Sequence, residues 1–168
     1  MIKLQGGNHR MAVDLKTLKY FKLVTGTGEG NTSLTAFDKA LLNAEVGNFN
    51  LLKVTSILPA RVKQKDKITV SEGGILPIAY GSVTSCNSGE IISSAVAVGI
   101  PASSRAHGMI VETSGYRPKE QSLKIAENMI AETFENRGLE LQEVLTKGSE
   151  LKIRDISCGS VFSGVALF

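Results

Sequence analysis

The stretch ILPIAYGSVTSCNSGEIISSAVAVGIPASSRAHGMIVET, residues 75–113, decides the fold class. Three runs rich in β-branched and small apolar residues, 75–84, 90–100 and 108–113, are each long enough for a strand. Asn87-Ser88-Gly89 and Pro101-Ala102-Ser103-Ser104 supply the turns between them. Spacing this short predicts a largely antiparallel meander. C-terminal to it, Pro118 suits the first turn of a helix, and Leu123, Ala126, Ile130 and Phe134 recur on one face. Gly138 stands where a left-handed cap ends it.

N-terminal to the meander, KYFKLVT over 19–25 reads as a strand, with the glycine-rich GTGEGN behind it as a turn. A second helix follows, capped by Thr32 or Ser33, with Leu34, Phe37 and Leu41 as its apolar stripe and Gly47 as its stop. A strand over 49–57 is halted by Pro59, which has no N–H to give a ladder. The polar and basic residues 60–74 read as a loop carrying at most one exposed strand. Two closing strands are expected over 140–146 and 152–167. Many strands and two helices with one apolar face each predict a sandwich of two mainly antiparallel sheets flanked by helices, in α-β-β-α layers. A chain of 168 residues fits one such domain. Residues 1–17 read as a poorly ordered N-terminal extension.

Composition narrows the function. Nineteen basic residues against sixteen acidic give a net charge of +3, and apart from the alternation Arg61, Lys63, Lys65, Lys67 they are scattered. Nucleic-acid binding needs clustered charge and stacking aromatics, and Trp is absent, so no nucleic-acid partner is expected. Cys86, Cys158, His9 and His107 have no zinc-ligand spacing, so no metal is expected. The two cysteines read as reduced, buried, small apolar residues. Neither a secretory leader nor a run of ~20 apolar residues is present, which predicts a soluble cytoplasmic chain with no membrane partner.

On the residues alone, no catalytic apparatus stands out. Thr55-Ser56 is an ordinary strand-end pair whose hydroxyls satisfy nearby backbone groups. Asn50 reads about equally as an ordinary turn or strand-end asparagine and as a functional amide donor. Glu112 reads as an exposed strand-end glutamate, and Asp38 as a solvent-facing aspartate beside Lys39. Gly26-Thr-Gly28-Glu-Gly30 before a helix offers a phosphate- or nucleotide-binding module, although it has neither nucleotide-loop spacing and Glu29 would repel a phosphate.

A resemblance reorders these readings. GNTSLTAFDKALLNA over 30–44, then GNFNLLKVTSILP over 47–59, resemble the pyruvoyl-dependent arginine decarboxylase family in order and spacing. So do Pro77-Ile-Ala-Tyr80-Gly81, Gly89-Glu90-Ile-Ile-Ser-Ser-Ala, Gly108-Met-Ile-Val-Glu112 and Phe134-Glu-Asn-Arg-Gly138. The likeness covers 18–168.

The resemblance implies one decarboxylase domain over 18–168, self-cleaved between Thr55 and Ser56 into a small chain 1–55 and a large chain 56–168. Ser56 would become a pyruvoyl group, the only cofactor expected, with no metal and no pyridoxal phosphate. That ketone would condense with the α-amine of arginine and accept electrons as CO₂ leaves, giving agmatine for polyamine synthesis. The resemblance further implies Asn50 as oxyanion donor, Glu112 as proton donor to the carbanionic carbon, and Asp38 as the carboxylate for the guanidinium. It implies a homo-oligomer, a trimer or a dimer of trimers, with active sites between neighbouring copies. Thr55 stands where many members have serine, and Ala60 replaces a second proline. A pyruvoyl decarboxylase for another amino acid and an uncleaved binding or structural homologue remain as alternatives.

Overall fold

A computed structural model describes residues 18–154 and 158–168. The expected extension over 1–17 lies outside the described residues. In chain order the elements are β1 (Tyr20–Gly30), α1 (Ser33–Asn43), β2 (Asn50–Lys53), β3 (Ile57–Leu58), β4 (Lys63–Gln64), β5 (Ile75–Ser85) and β6 (Ile91–Pro101). After these come β7 (Gly108–Gly115), α2 (Lys119–Glu135), β8 (Leu141–Lys152) and β9 (Cys158–Leu167). They form a five-stranded sheet in the order β2-β5-β9-β1-β4 and a four-stranded sheet in the order β3-β7-β6-β8. Among the described residues only β1–β4 and β2–β5 pair in parallel. The expected α-β-β-α sandwich of two mainly antiparallel sheets is the observed architecture.

Its layers follow from where the apolar side chains point. Alternate residues of a strand face opposite sides of a sheet. Leu23, Ala79, Val96, Val98, Ile110 and Val165 meet between the two sheets. Val24, Ile78, Phe162 and Ala166 turn outward to α1. Ala97, Met109 and Val111 turn outward to α2, whose buried Ala126, Ile130 and Phe134 are the stripe read from the sequence. Gly138 is in the left-handed region with φ 60°, as expected, and Pro118 sits one position before the first helical residue.

Several expectations are corrected. The run Gly26–Gly30 is not a turn: it is strand, paired with β9 from Phe162 to Cys158. Its glycines exist because α1 lies almost on the sheet. A Cβ at Gly26 would come within 2.1 Å of the Ala40 carbonyl oxygen, and one at Gly28 within 2.3 Å of that of Ala36. With no loop at Gly26–Gly30, the phosphate-binding reading loses its site. The face of α1 that meets these glycines is small, with Ala36 and Ala40 buried, whereas Leu34 of the expected stripe is 76% exposed. Thr32 caps α1, but Glu45 rather than Gly47 takes the left-handed conformation after it, φ 61°, where it pairs with Lys22.

The strand expected over 49–57 is two short strands in different sheets. Strand β5 belongs to the five-stranded sheet while β6 and β7 belong to the other, so the meander is split across the sandwich. The closing strands run further than expected, as β8 and β9. Cys86 and Cys158 are not free thiols: they form a disulfide from the end of β5 to the start of β9. No described helix is long and apolar enough to cross a membrane.

Candidate active site

The chain changes sheets at the segment 54–56. Strand β2 is an edge of the five-stranded sheet, held by β5 through Lys53 opposite Ile78, and the Val54 N–H still donates to the Ile78 carbonyl at 3.1 Å. Three residues later β3 is an edge of the four-stranded sheet, with Ile57 opposite Met109 on β7. Ser56 stands at this crossing, half-buried, with Thr55 exposed beside it. Both carbonyls that flank the Ser56 α-carbon are engaged. The Ile57 N–H donates to the Thr55 carbonyl at 3.0 Å, closing a three-residue turn with Ser56 at its apex. The Ile110 N–H of β7 donates to the Ser56 carbonyl at 2.7 Å.

Two residues beyond Ile110 on the same strand face, Glu112 also points between the sheets. Its partner across β6 is Val96, and across the sandwich stands Gly81 of β5, where an added Cβ would lie 3.5 Å from that of Glu112. Loss of water by burial raises the Glu112 carboxyl above its ordinary pKa, a shift that the Lys53 ammonium and a backbone hydrogen bond partly offset. Lys53 itself lies over the Tyr80 ring, 4.6 Å from its centroid. A half-buried carboxyl with a raised pKa can hold and give a proton.

The other two residues are elsewhere. Asn50 opens β2, and its side-chain amide donates to the Gly73 carbonyl at 2.7 Å, with no described bond to Thr55. Asp38 is exposed on α1, makes no ion pair among the described residues, and lies on the far side of the five-stranded sheet from Glu112. One chain therefore brings Ser56 and Glu112 together and leaves Asp38 apart. Lys53, Gly81 and the N–H groups of Ile57 and Ile110 were not among the residues read from the sequence. Gly81 falls in a quoted family match, but a main-chain donor has no sequence signal.

No described group of three or more His, Cys, Asp or Glu is placed to hold a metal. A cavity of about 210 Å³ borders the strand after Ser56, between Leu58, Arg61, Ile100 and Gln142, but neither Ser56 nor Glu112 lines it.

The chain is similar to known proteins over most of its length. Residues 20–165 match the family described as pyruvoyl-dependent arginine decarboxylase. Curated proteins of that name are 37% identical over 87% of this chain and 87% of the relative in Methanococcus aeolicus. In Methanocaldococcus jannaschii the identity is 37%, over 89% of this chain and 93% of the relative. In Thermococcus kodakarensis it is 39%, over 77% and 82%. A solved pyruvoyl-dependent histidine decarboxylase superposes with a TM-score of 0.47 at 14% identity, over 59% of this chain and 52% of that one. The match across both strands of the crossing, the glycine-backed helix α1 and the Glu112 strand leaves one assignment: the chain belongs to the pyruvoyl-dependent arginine decarboxylase family.

Proposed function

We propose that this protein cuts itself between Thr55 and Ser56, converts Ser56 to a pyruvoyl group, and decarboxylates arginine to agmatine. The Ser56 hydroxyl oxygen adds to the Thr55 carbonyl carbon, the C–N bond breaks, and the peptide becomes an ester with a free Ser56 amine. Loss of the Ser56 α-proton then breaks the Cβ–O bond, and Thr55 leaves as a carboxylate at the end of chain 1–55. The dehydroalanine left on chain 56–168 takes up water and releases ammonia, giving the ketone.

A pyruvoyl group supplies an electron-accepting carbonyl for the substrate α-carbon as CO₂ leaves. The remaining work falls to side chains. Glu112, whose carboxyl pKa burial raises, delivers the proton that replaces CO₂. The Ile110 N–H holds the Ser56 carbonyl on the same strand that carries Glu112. Asp38 is suited to the guanidinium through two parallel charge-assisted hydrogen bonds.

Since Asp38 lies across a sheet from Glu112, the reading takes it from a neighbouring copy, in a trimer or a dimer of trimers. Exposed Leu52 and Ile57 on the edge strands β2 and β3, with Ile75 at the start of β5, supply apolar surface for such contacts.

The observation that carries this reading is the juxtaposition of Ser56, at the crossing between sheets, with the half-buried Glu112 carboxyl two residues from its main-chain anchor. Purified protein incubated with arginine, without added pyridoxal phosphate, should release agmatine and CO₂ in equal amounts, and Ser56→Ala should release neither. No agmatine from a cleaved wild-type protein would refute arginine as the substrate.

A further inference from the structure

We propose that the main-chain N–H groups of Ile57 and Ile110 are the two oxyanion donors of self-cleavage, one for each charged step. The proposal rests on the reading that Ser56 cleaves the chain. It departs from that reading's resemblance-based donor, because the Asn50 amide donates to the Gly73 carbonyl at 2.7 Å and makes no described bond to the Thr55 carbonyl.

Negative charge arises at two different oxygens during the reaction. When the Ser56 hydroxyl adds to the Thr55 carbonyl carbon, the pair of the C=O bond moves onto the Thr55 oxygen. That oxygen already accepts from the Ile57 N–H at 3.0 Å. Pairing between β2 and β5 extends no further than the Val54 N–H, so the turn around Ser56 gives the Thr55 carbonyl its donor.

In the second step, removal of the Ser56 α-proton pushes charge onto the Ser56 carbonyl oxygen before the Thr55 carboxylate leaves. That oxygen accepts from the Ile110 N–H at 2.7 Å. Register fixes this donor, since β3 and β7 pair Ile57 with Met109 and Leu58 with Gly108, and the next N–H along β7 reaches back to Ser56. Neither donor has to move when charge appears, which is the condition under which a fixed dipole lowers a barrier most. Ser56 is thus the one residue of the crossing with a fixed donor on the carbonyl at either side of its α-carbon.

The test replaces single amide links by esters in the full chain, using the α-hydroxy acid analogue at position 57, 110 or 54 during cell-free synthesis. Position 54 is the control, because its N–H serves the Ile78 carbonyl at 3.1 Å and neither oxygen of the reaction. Appearance of chain 1–55 is followed by mass spectrometry, with and without hydroxylamine, which releases chain 1–55 as a hydroxamate from any ester on Ser56. Its mass separates it from cleavage at an installed ester.

The 57 ester should slow the appearance of 1–55 by about 10²–10³-fold with no hydroxamate accumulating, the range for loss of one oxyanion donor. A comparable slowing is expected for the 110 ester, but with the Ser56 ester accumulating. The position-54 ester should cleave at the normal rate. Normal cleavage of the 57 or 110 ester, or equal slowing of all three, would overturn the proposal. Cleavage of Ser56→Ala would instead overturn the self-cleavage reading beneath it.

Discussion

The Ser94 hydroxyl donates to the Gly81 carbonyl at 2.9 Å, joining β6 of one sheet to β5 of the other through the middle of the sandwich. A second bond beside it, from the Ser114 hydroxyl to the Ser82 carbonyl at 3.1 Å, ties β7 to the same strand. Together they hold the strand bearing Glu112 against Gly81. Ser94 is fully buried, so Ser94→Ala leaves the part-buried Gly81 carbonyl with one partner fewer. Thermal unfolding should show a loss of ~1–2 kcal/mol. A lower kcat should accompany it, and Ser94→Thr, which keeps the hydroxyl, should recover part of both. Unchanged kcat in Ser94→Ala would separate this bond from the placement of Glu112.

Glu112 makes the clearest pH prediction. Burial is the main cause of its raised pKa, and Lys53 opposes it. The protonated form is the one that gives a proton, so turnover should be full at low pH and fall as pH rises through the raised value. Lys53→Met removes the opposing charge and should move that fall to higher pH. Stability has the same sign, because between the unfolded and folded pKa values the native state binds more protons. The Glu112 contribution is therefore present below the unfolded pKa and lost as pH climbs through the folded one. Glu112→Gln should remove this dependence from the Tm-versus-pH curve. It should still be cleaved at Thr55/Ser56, with decarboxylation reduced ~10²–10⁴-fold. A fully processed Glu112→Gln enzyme of normal activity would exclude this acid.

The disulfide predicts a stability that depends on redox conditions. It spans 72 residues and joins the end of β5 to the start of β9, and Cys86 is exposed to reductant. A cross-link of that span stabilises by about 2–4 kcal/mol, chiefly by restricting the unfolded chain. Differential scanning fluorimetry should show a lower Tm with dithiothreitol, matched by Cys86→Ser without it. Equal Tm values in all three samples would show that the bond contributes nothing to stability.

Asp38 predicts a split between making the cofactor and using it. Asp38→Asn should be cleaved normally, yet lose ~1.5–3 kcal/mol of arginine recognition, roughly 10–100-fold in kcat/KM. Were the site shared between copies, co-expressing Asp38→Asn with Glu112→Gln would assemble some sites with both carboxylates intact. Activity above that of either variant alone is expected. Activity no greater than the sum of the two would place both carboxylates in one chain.

Local pattern told most about elements whose packing is local. The α2 stripe of Ala126, Ile130 and Phe134 is legible because helix period and burial coincide. Gly26 and Gly28 misled because glycine marks both turns and close backbone approach, and only the position of α1 separates the two. The break at Val54-Thr55-Ser56 is hidden because both flanking runs have strand character, and a change of sheet leaves no periodicity. Cys86 and Cys158 are brought together by the alignment of β5 with β9, a non-local fact. Ser56 and Glu112 were named through resemblance, and their proximity follows from β3 pairing with β7.

The most direct test is intact mass spectrometry of the purified full chain. The account predicts two species, a small chain ending in the free carboxylate of Thr55 and a large chain whose first residue is a pyruvoyl group in place of Ser56. The large chain should resist N-terminal sequencing and react with a hydrazine. A single uncut chain that nonetheless converts arginine to agmatine would contradict the account, because the carbonyl chemistry would then have a source other than Ser56.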